Sequence, residues 1–159
     1  MHASDFAYPR QMPGLPDPDL DPQFYDGVPR RRLFAWCVDF VVILLIGVPV
    51  ATMFGILTLG IGFLAFPFLL ASVDFLYRVA TISSGSATWG MRIMGIELRR
   101  ADGARFDFMT ALAHTALYTI SFAFLISQLV SCVAMIGTRY GQGLPDIVLR
   151  TTAINRPVD

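Results

Sequence analysis

Long stretches without a charged residue constrain this chain more than any other feature. No charge occurs between Asp39 and Asp74, and none occurs in residues 108–137. A membrane-spanning helix needs about 20 apolar residues. With its apolar flanks, the first stretch covers residues 33–77, which is long enough for two spans joined by a turn near Gly60. The chain is therefore predicted to be an integral membrane protein in contact with the lipid bilayer.

Composition supports this prediction and excludes other classes. Hydrophobic residues make up 55% of the 159 residues and charged residues only 15%, whereas soluble domains carry about 25% charged residues. The formal net charge is +0, so no excess of positive charge would attract a nucleic acid. Two cysteines are too few for a disulfide scaffold.

The predicted fold is an all-α membrane protein with a helical hairpin, a third hydrophobic helix and a small cytoplasmic β-hairpin cap. The membrane domain is expected to cover residues 30–154, between a disordered acidic and proline-rich tail at 1–29 and a short tail at 155–159. The three helices are predicted at about 33–56, 60–80 and 108–137.

The cap is predicted in the polar region 88–107. Asp102 and Gly103 form a dipeptide that is typical of tight hairpin turns, and the residues on either side alternate between apolar and polar. The residues predicted to pair across this hairpin are Ile96, Leu98, Arg105 and Phe106.

Arginine positions predict the orientation. Arginines precede the first helix at residues 30–32 and follow the second, while the turn between the two helices has none. By the positive-inside rule the N-terminus is cytoplasmic, in a multi-pass protein of the inner membrane. The third stretch either spans once, which places the C-terminal tail outside, or is re-entrant, which keeps that tail in the cytoplasm.

Charged residues inside the predicted spans need a partner or a function. Asp39 follows Arg32 by two helical turns, about 10 Å along the axis, on the same face. Asp74 precedes Arg78 by one turn. Two interpretations stay open: a structural ion-pair network, or a site where Asp39 binds a proton or cation with its affinity set by Arg32.

The third stretch carries a polar face at helical spacing, which is expected to point at the other helices. The residues of this face are His114, Tyr118, Ser121 and Gln128. Hydrogen bonding between helices is one role for it, and a proton relay through His114 is another. No metal-ligand spacing, cofactor-binding motif or nucleophile motif occurs, so no metal, cofactor or enzymatic activity is expected.

Four segments resemble one known pattern. They are RRLFAWCVD at residues 31–39, TWGMRIMGIEL at 88–98, ADG at 101–103, and QGLPD at 142–146 with Thr151 five residues after its aspartate. In this order they resemble the RDD family of membrane proteins, which is named for an arginine and two aspartates. The resemblance implies that these residues are Arg32, Asp39 and Asp146.

The resemblance also implies a transport-related role, since some members of that family are linked to cation–proton exchange. A non-transporting scaffold that binds another membrane protein is the alternative. Three helices enclose little volume, so a homo-oligomer or another membrane protein is the expected partner. If residues 147–154 pair with residues 95–99, Asp146 would lie near Arg32 and Arg92.

Overall fold

The computed structural model describes residues 12–156, and the two ends of the predicted tails, 1–11 and 157–159, lie outside the described residues. In chain order the elements are α1 (Val28–Leu57), α2 (Phe66–Gly85), α3 (Trp89–Ile93), β1 (Ile96–Arg100), α4 (Phe108–Ala123), α5 (Leu125–Gly137), α6 (Leu144–Leu149) and β2 (Thr151–Asn155). Short 3-10 helices cover Pro22–Phe24 and Ile61–Ala65. The predicted fold class, helical with a small sheet, is confirmed.

The first two helices form the predicted hairpin. α1 ends at Leu57, and the chain turns through Leu59 and Gly60, which have φ angles of 52° and 95°. Glycine adopts this left-handed region without steric cost, which explains the turn at Gly60. In the described part of the chain, Pro22–Leu57 and Ile61–Gly85 are the two helical segments long and apolar enough to cross a membrane.

The third hydrophobic stretch is broken and is not the single helix predicted. At Phe124 the backbone is extended, with φ −112° and ψ 106°, and the chain changes direction by 118° between the two halves. α5 therefore turns back toward the start of α4, and both α4 and α5 contact α6. An uncharged sequence does not reveal this break, because no proline or glycine marks it.

The cap contains a two-stranded antiparallel sheet, but its strands are not the predicted hairpin. β1 pairs with β2, with Ile96 opposite Asn155 and Arg100 opposite Thr151. Arg105 and Phe106 lie outside the sheet, and the buried Phe106 donates its backbone N–H to Ser86. Because β1 precedes α4 and β2 follows α6, this pairing brings both ends of the broken stretch to the same side of the molecule.

The described part of the N-terminal segment packs on this cap, in contrast to the predicted disordered tail. Met12 is buried, and the backbone N–H of Gly14 donates to the carbonyl of Ala101 at 3.0 Å. The Asn155 side chain donates to two carbonyls of the segment, those of Gln23 and Asp26. These contacts offset the conformational entropy that the segment loses on ordering. The composition of the segment alone does not reveal them.

The hydrophobic core lies between the cap and the adjoining ends of the helices. Its buried members come from α1, α2, both strands, the loop before α4 and the start of α4. They are Val28, Ala35, Ile82, Ile96, Leu98, Phe106, Ala111 and Ala153. Away from this core the helices present apolar side chains outward, as expected of surfaces covered by lipid.

Candidate functional site

Asp39 lies on α1 and is almost fully buried. Its Oδ1 accepts hydrogen bonds from the Tyr77 hydroxyl at 2.7 Å and from the Gly90 backbone N–H at 2.8 Å. Its Oδ2 accepts from the Thr88 hydroxyl at 2.6 Å. Three donors that carry no charge, one each from α2, the following turn and α3, therefore join these segments to α1.

Arg78 supplies the positive charge nearest to Asp39. Its Nη1 lies 3.9 Å from Asp39 Oδ2, and its Nε donates to Asp74 Oδ1 at 2.8 Å. The pair predicted from the one-turn spacing of Asp74 and Arg78 is therefore present. The guanidinium also lies 4.4 Å from the centre of the Tyr118 ring, a cation–π arrangement. The Tyr118 hydroxyl in turn accepts from Trp36 Nε1 at 2.9 Å.

Asp146 forms a second buried network, at the N-terminal turn of α6. Its Oδ2 accepts from Arg32 Nη1 at 2.6 Å and from the Gly143 backbone N–H at 3.1 Å. Its Oδ1 contacts His114 Nε2 at 2.9 Å and accepts from the Thr151 hydroxyl at 3.0 Å. Residues from α1, α4 and β2 therefore converge on this one carboxylate, which we call the Asp146 network.

The interpretation in which Arg32 sets the affinity of Asp39 has no direct contact behind it, because Arg32 pairs with Asp146 and the guanidinium nearest Asp39 is that of Arg78. Arg32 and Asp39 are separated by about 10 Å of helix, whereas Asp146 lies within hydrogen-bond distance of Arg32. The hypothesis that residues 147–154 pair with residues 95–99 placed Asp146 near Arg32, and these two residues are in contact. Arg92 is not part of this network, because its Nη2 donates to the carbonyl of Thr81 at 3.3 Å.

Asp146 lies outside the membrane-spanning segments, and its ionisation is set by its neighbours. Burial raises the pKa of Asp146, but the charge of Arg32 and the hydrogen bonds from His114 and Arg32 lower it by more. The net pKa lies well below the usual range of a carboxyl group. Asp146 is therefore a permanent anion at neutral pH.

A cavity of about 560 Å³ lies beside both networks. Its polar lining residues are Arg30, Arg32, Asp39, Arg78, His114, Thr115, Tyr118, Gln128, Ser131 and Asp146. Most of the remaining wall is apolar and includes Leu33, Trp36, Phe122, Met135 and Ile136. Small-molecule sites have this character, with volumes of about 300–1,000 Å³ and a few polar groups.

The predicted polar face of the third stretch is divided by the break. His114 and Tyr118 on α4 point at Asp146 and Trp36, so they hydrogen-bond to other helices. The Ser121 hydroxyl lies 3.1 Å from the hydroxyl of Ser127 across the break. Gln128, on α5, is half-buried and lies 3.9 Å from the Cys132 sulfur. Within residues 12–156 no three His, Cys, Asp or Glu side chains converge as metal ligands.

Comparison with known proteins gives one match, to a family model. The model of the RDD family matches residues 27–150. This chain belongs to the RDD family. No curated protein and no solved structure matches it.

In this RDD protein the three residues carried over from the family pattern divide between the two networks. Arg32 and Asp146 are joined directly, although 114 positions separate them. Asp39 holds the loop that precedes α3. The match ends at residue 150, one residue before Thr151, which also contacts Asp146.

Sequence reasoning did not single out the neutral partners of the two carboxylates. They are Tyr77, Thr88, Gly90, Gly143 and Thr151. Four of them have a positional signal, because Thr88, Gly90, Gly143 and Thr151 belong to the segments that carry the family resemblance. Tyr77 has none, since a tyrosine in an apolar helix is not unusual.

Proposed function

We propose that this RDD protein is a transport-related protein of the inner membrane, in which the Asp146 network exchanges a proton as a solute enters the cavity. One observation carries the proposal. The network forms part of the cavity wall and is not sealed within the core. A purely structural ion pair needs no cavity beside it.

Within the network, His114 is the group suited to gain and lose the proton. Imidazole is the side chain that changes charge near neutral pH. Its partner Asp146 stays ionised because Arg32 holds the pKa of that carboxyl low, and Oδ1 of Asp146 lies 2.9 Å from Nε2 of His114. Asp39 is less suited to this role than expected, because three donors and Arg78 already surround it.

The proposed orientation keeps the cap, the N-terminus and β2 in the cytoplasm, with α1 and α2 crossing the membrane. Arg31 on α1 donates to the carbonyl of Met94 at 3.0 Å, so the arginines at 30–32 and those of the cap lie at one end of the hairpin. The positive-inside rule assigns such an end to the cytoplasm. The pairing of β1 with β2 supports a re-entrant third stretch over a third crossing.

Flux through reconstituted vesicles tests the proposal. Vesicles with a trapped pH-sensitive dye receive a Na⁺ or a K⁺ gradient, and the internal pH is recorded. The wild-type protein should move protons in response to at least one gradient, and His114→Gln should slow this movement by about tenfold or more, the range for a proton-transferring side chain. Arg100→Gln removes a charge at the end of β1, outside the cavity wall, and serves as the control.

Two results would overturn the proposal. One is wild-type protein that moves no protons under either gradient. The other is a folded His114→Gln protein whose proton movement equals that of the wild type. Elution of each variant as a single peak in detergent establishes that it is folded before flux is measured.

A non-transporting scaffold is the alternative role. The apolar side chains of α5 that face outward, such as Ile126, Leu129 and Val133, could contact a second membrane protein or another copy of this chain. In α4, by contrast, His114 and Tyr118 form hydrogen bonds with other residues of this chain. Less of the predicted polar face is therefore free to contact a partner protein. A stoichiometric membrane partner together with absent flux would favour the scaffold.

A further inference from the structure

Arg32 carries hydrogen-bond donors that nothing in the described part of the chain accepts. Its side chain is only 9% exposed. Nη1 donates to Asp146, but Nε and Nη2 are buried and have no hydrogen-bond partner among residues 12–156. Buried polar groups are almost always paired. Two unpaired donors on one buried guanidinium therefore call for an acceptor from outside the chain.

The positions of these two donors indicate what kind of acceptor fits. Nε and Nη2 form one edge of the planar guanidinium, and their N–H groups lie parallel on that edge. This edge matches two oxygens of a carboxylate or a phosphate, which accept two parallel hydrogen bonds.

The cavity indicates the rest of the ligand. Arg32 is one of its lining residues, and the wall beyond the charged groups is made largely of apolar side chains such as Leu33, Trp36 and Phe122. A fully hydrated small anion would leave this apolar wall without a partner. An apolar body attached to the oxyanion would cover it.

We propose that the cavity binds an amphipathic oxyanion, whose carboxylate or phosphate oxygens accept from Nε and Nη2 of Arg32 and whose apolar body lies against Trp36 and Phe122. Two further guanidiniums, those of Arg30 and Arg78, border the same cavity. Arg32 is paired with Asp146, and Arg78 with Asp39 and Asp74, so Arg30 supplies the further positive charge in the cavity wall. This proposal goes beyond the proposed function, because it gives the chemical class of the bound molecule. It does not depend on whether the protein moves protons.

Trp36 provides a direct readout of binding. The chain has two tryptophans, so a Trp89→Phe variant leaves Trp36, in the cavity wall, as the only one. A long-chain carboxylate with bromine on its chain quenches a nearby indole on contact. Saturable quenching of Trp36 is expected with this carboxylate, and much weaker quenching with its uncharged methyl ester.

Two further probes distinguish the source of the oxyanion. A bromine-labelled lipid with a phosphate monoester headgroup should compete with the carboxylate if the site accepts lipid headgroups. Inorganic phosphate alone should not compete, because it has no apolar body. Competition by inorganic phosphate at similar concentrations would overturn the amphipathic part of the proposal, and equal binding of the methyl ester would overturn the oxyanion part.

Variants of Arg32 test the donor edge. Arg32→Lys keeps the charge but lacks the two parallel donors, and Arg32→Gln removes both. Each should raise the dissociation constant by about tenfold or more, as expected for hydrogen bonds to a charged group. Arg31→Gln, one position away and outside the cavity wall, should leave it unchanged. An unchanged dissociation constant in a folded Arg32→Gln protein would overturn the site.

A second measurement uses a variant in which the pair of Arg32 and Asp146 is unchanged. Cys132 lines the cavity, whereas Cys37 does not. In a Cys37→Ser variant, the bound carboxylate should slow alkylation of the Cys132 thiol severalfold, and the methyl ester should not. Full-rate alkylation at saturating carboxylate would overturn the location. Because neither assay measures proton movement, failure of this site and failure of the proposed function are distinguishable.

Discussion

Asp39 and Asp146 are both about 1% exposed, yet they are stabilised in different ways. Asp39 accepts from two hydroxyls and one backbone N–H, with the guanidinium of Arg78 at 3.9 Å. Asp146 accepts directly from Arg32 at 2.6 Å and contacts His114. The contacts of Asp39 within hydrogen-bond distance are all neutral donors, whereas Asp146 has a guanidinium and an imidazole in direct contact in addition to two neutral donors.

The difference teaches that burial alone does not indicate a functional acid. Around Asp39 every close contact also fixes the position of a loop or helix, which is a structural task. Around Asp146 the contacts leave two donors of Arg32 unpaired beside a cavity. The residue that sequence reasoning ranked first, Asp39, is therefore the better candidate for stability, and Asp146 is the better candidate for function.

The largest expected effect is the loss of Asp39. Asp39→Ala leaves Thr88, Tyr77 and the Gly90 N–H buried without an acceptor and deprives Arg78 of a nearby charge. Breaking a buried pair in this way costs about 3–5 kcal/mol. The measurement is the free energy of unfolding in detergent. The control, Asp102→Ala, removes an exposed partner of Arg100 and should cost about 1 kcal/mol or less. Similar losses in the two variants would contradict a structural role for Asp39.

The pH dependence of stability should come from Asp146. Because its folded-state pKa lies below the unfolded value of 3.8, its ionised form stabilises the fold fully above about pH 4. This contribution is lost as the pH falls through the folded-state pKa. Melting temperatures measured from pH 5 to pH 3 should fall below pH 4. Asp146→Asn should melt lower at neutral pH and show a smaller fall; a fall as steep as in the wild type would assign the acid sensitivity to another group.

The contact of α3 with α1 is tested at Gly90. A Cβ at this position would lie 2.2 Å from the carbonyl oxygen of Ala35 and 2.8 Å from Asp39 Oδ1. Gly90→Ala should therefore force the two helices apart and cost about 1–3 kcal/mol. At Gly137 a Cβ meets nothing within 4 Å, so Gly137→Ala should leave the unfolding free energy unchanged or slightly raised. Equal behaviour of the two variants would argue against the close approach.

The smallest effects come from a matched pair of threonines. Thr88 and Thr151 are both fully buried and donate to Asp39 and Asp146 respectively. Thr88 also accepts from the Met91 N–H at the start of α3. Thr88→Val should cost about 2 kcal/mol and Thr151→Val about 1 kcal/mol, because one hydrogen bond is worth about 1 kcal/mol. The reverse order would indicate that Asp146 depends more on neutral donors than the geometry implies.

The parts of the fold that follow from local spacing were predictable. The uncharged length before Asp74 predicted a helical hairpin with its turn near Gly60, and the i, i+4 spacing predicted the pair of Asp74 and Arg78. Both depend on helix geometry, which is the same in any context. The Asp102-Gly103 turn also forms, since the N–H of Gly103 donates to the carbonyl of Arg100.

The parts that depend on distant contacts were not predictable from spacing. Arg32 could reach along its own helix only toward Asp39, and nothing local indicates that α6 supplies a closer carboxylate. The break at Phe124 has no proline or glycine to mark it. The partner of β1 was better predicted by the family resemblance than by the hairpin rule, because strand pairing between distant segments has no local signal.

The direct bond between Arg32 and Asp146 has a consequence for the order in which the protein is made. During synthesis, Arg32 leaves the ribosome long before its carboxylate partner exists, and β1 likewise precedes β2 by about 50 positions. While the two candidate membrane helices are made, this guanidinium therefore has no carboxylate partner at Asp146. Only the arrival of α6 and β2 completes the network, so assembly of the cap is a late event in biogenesis.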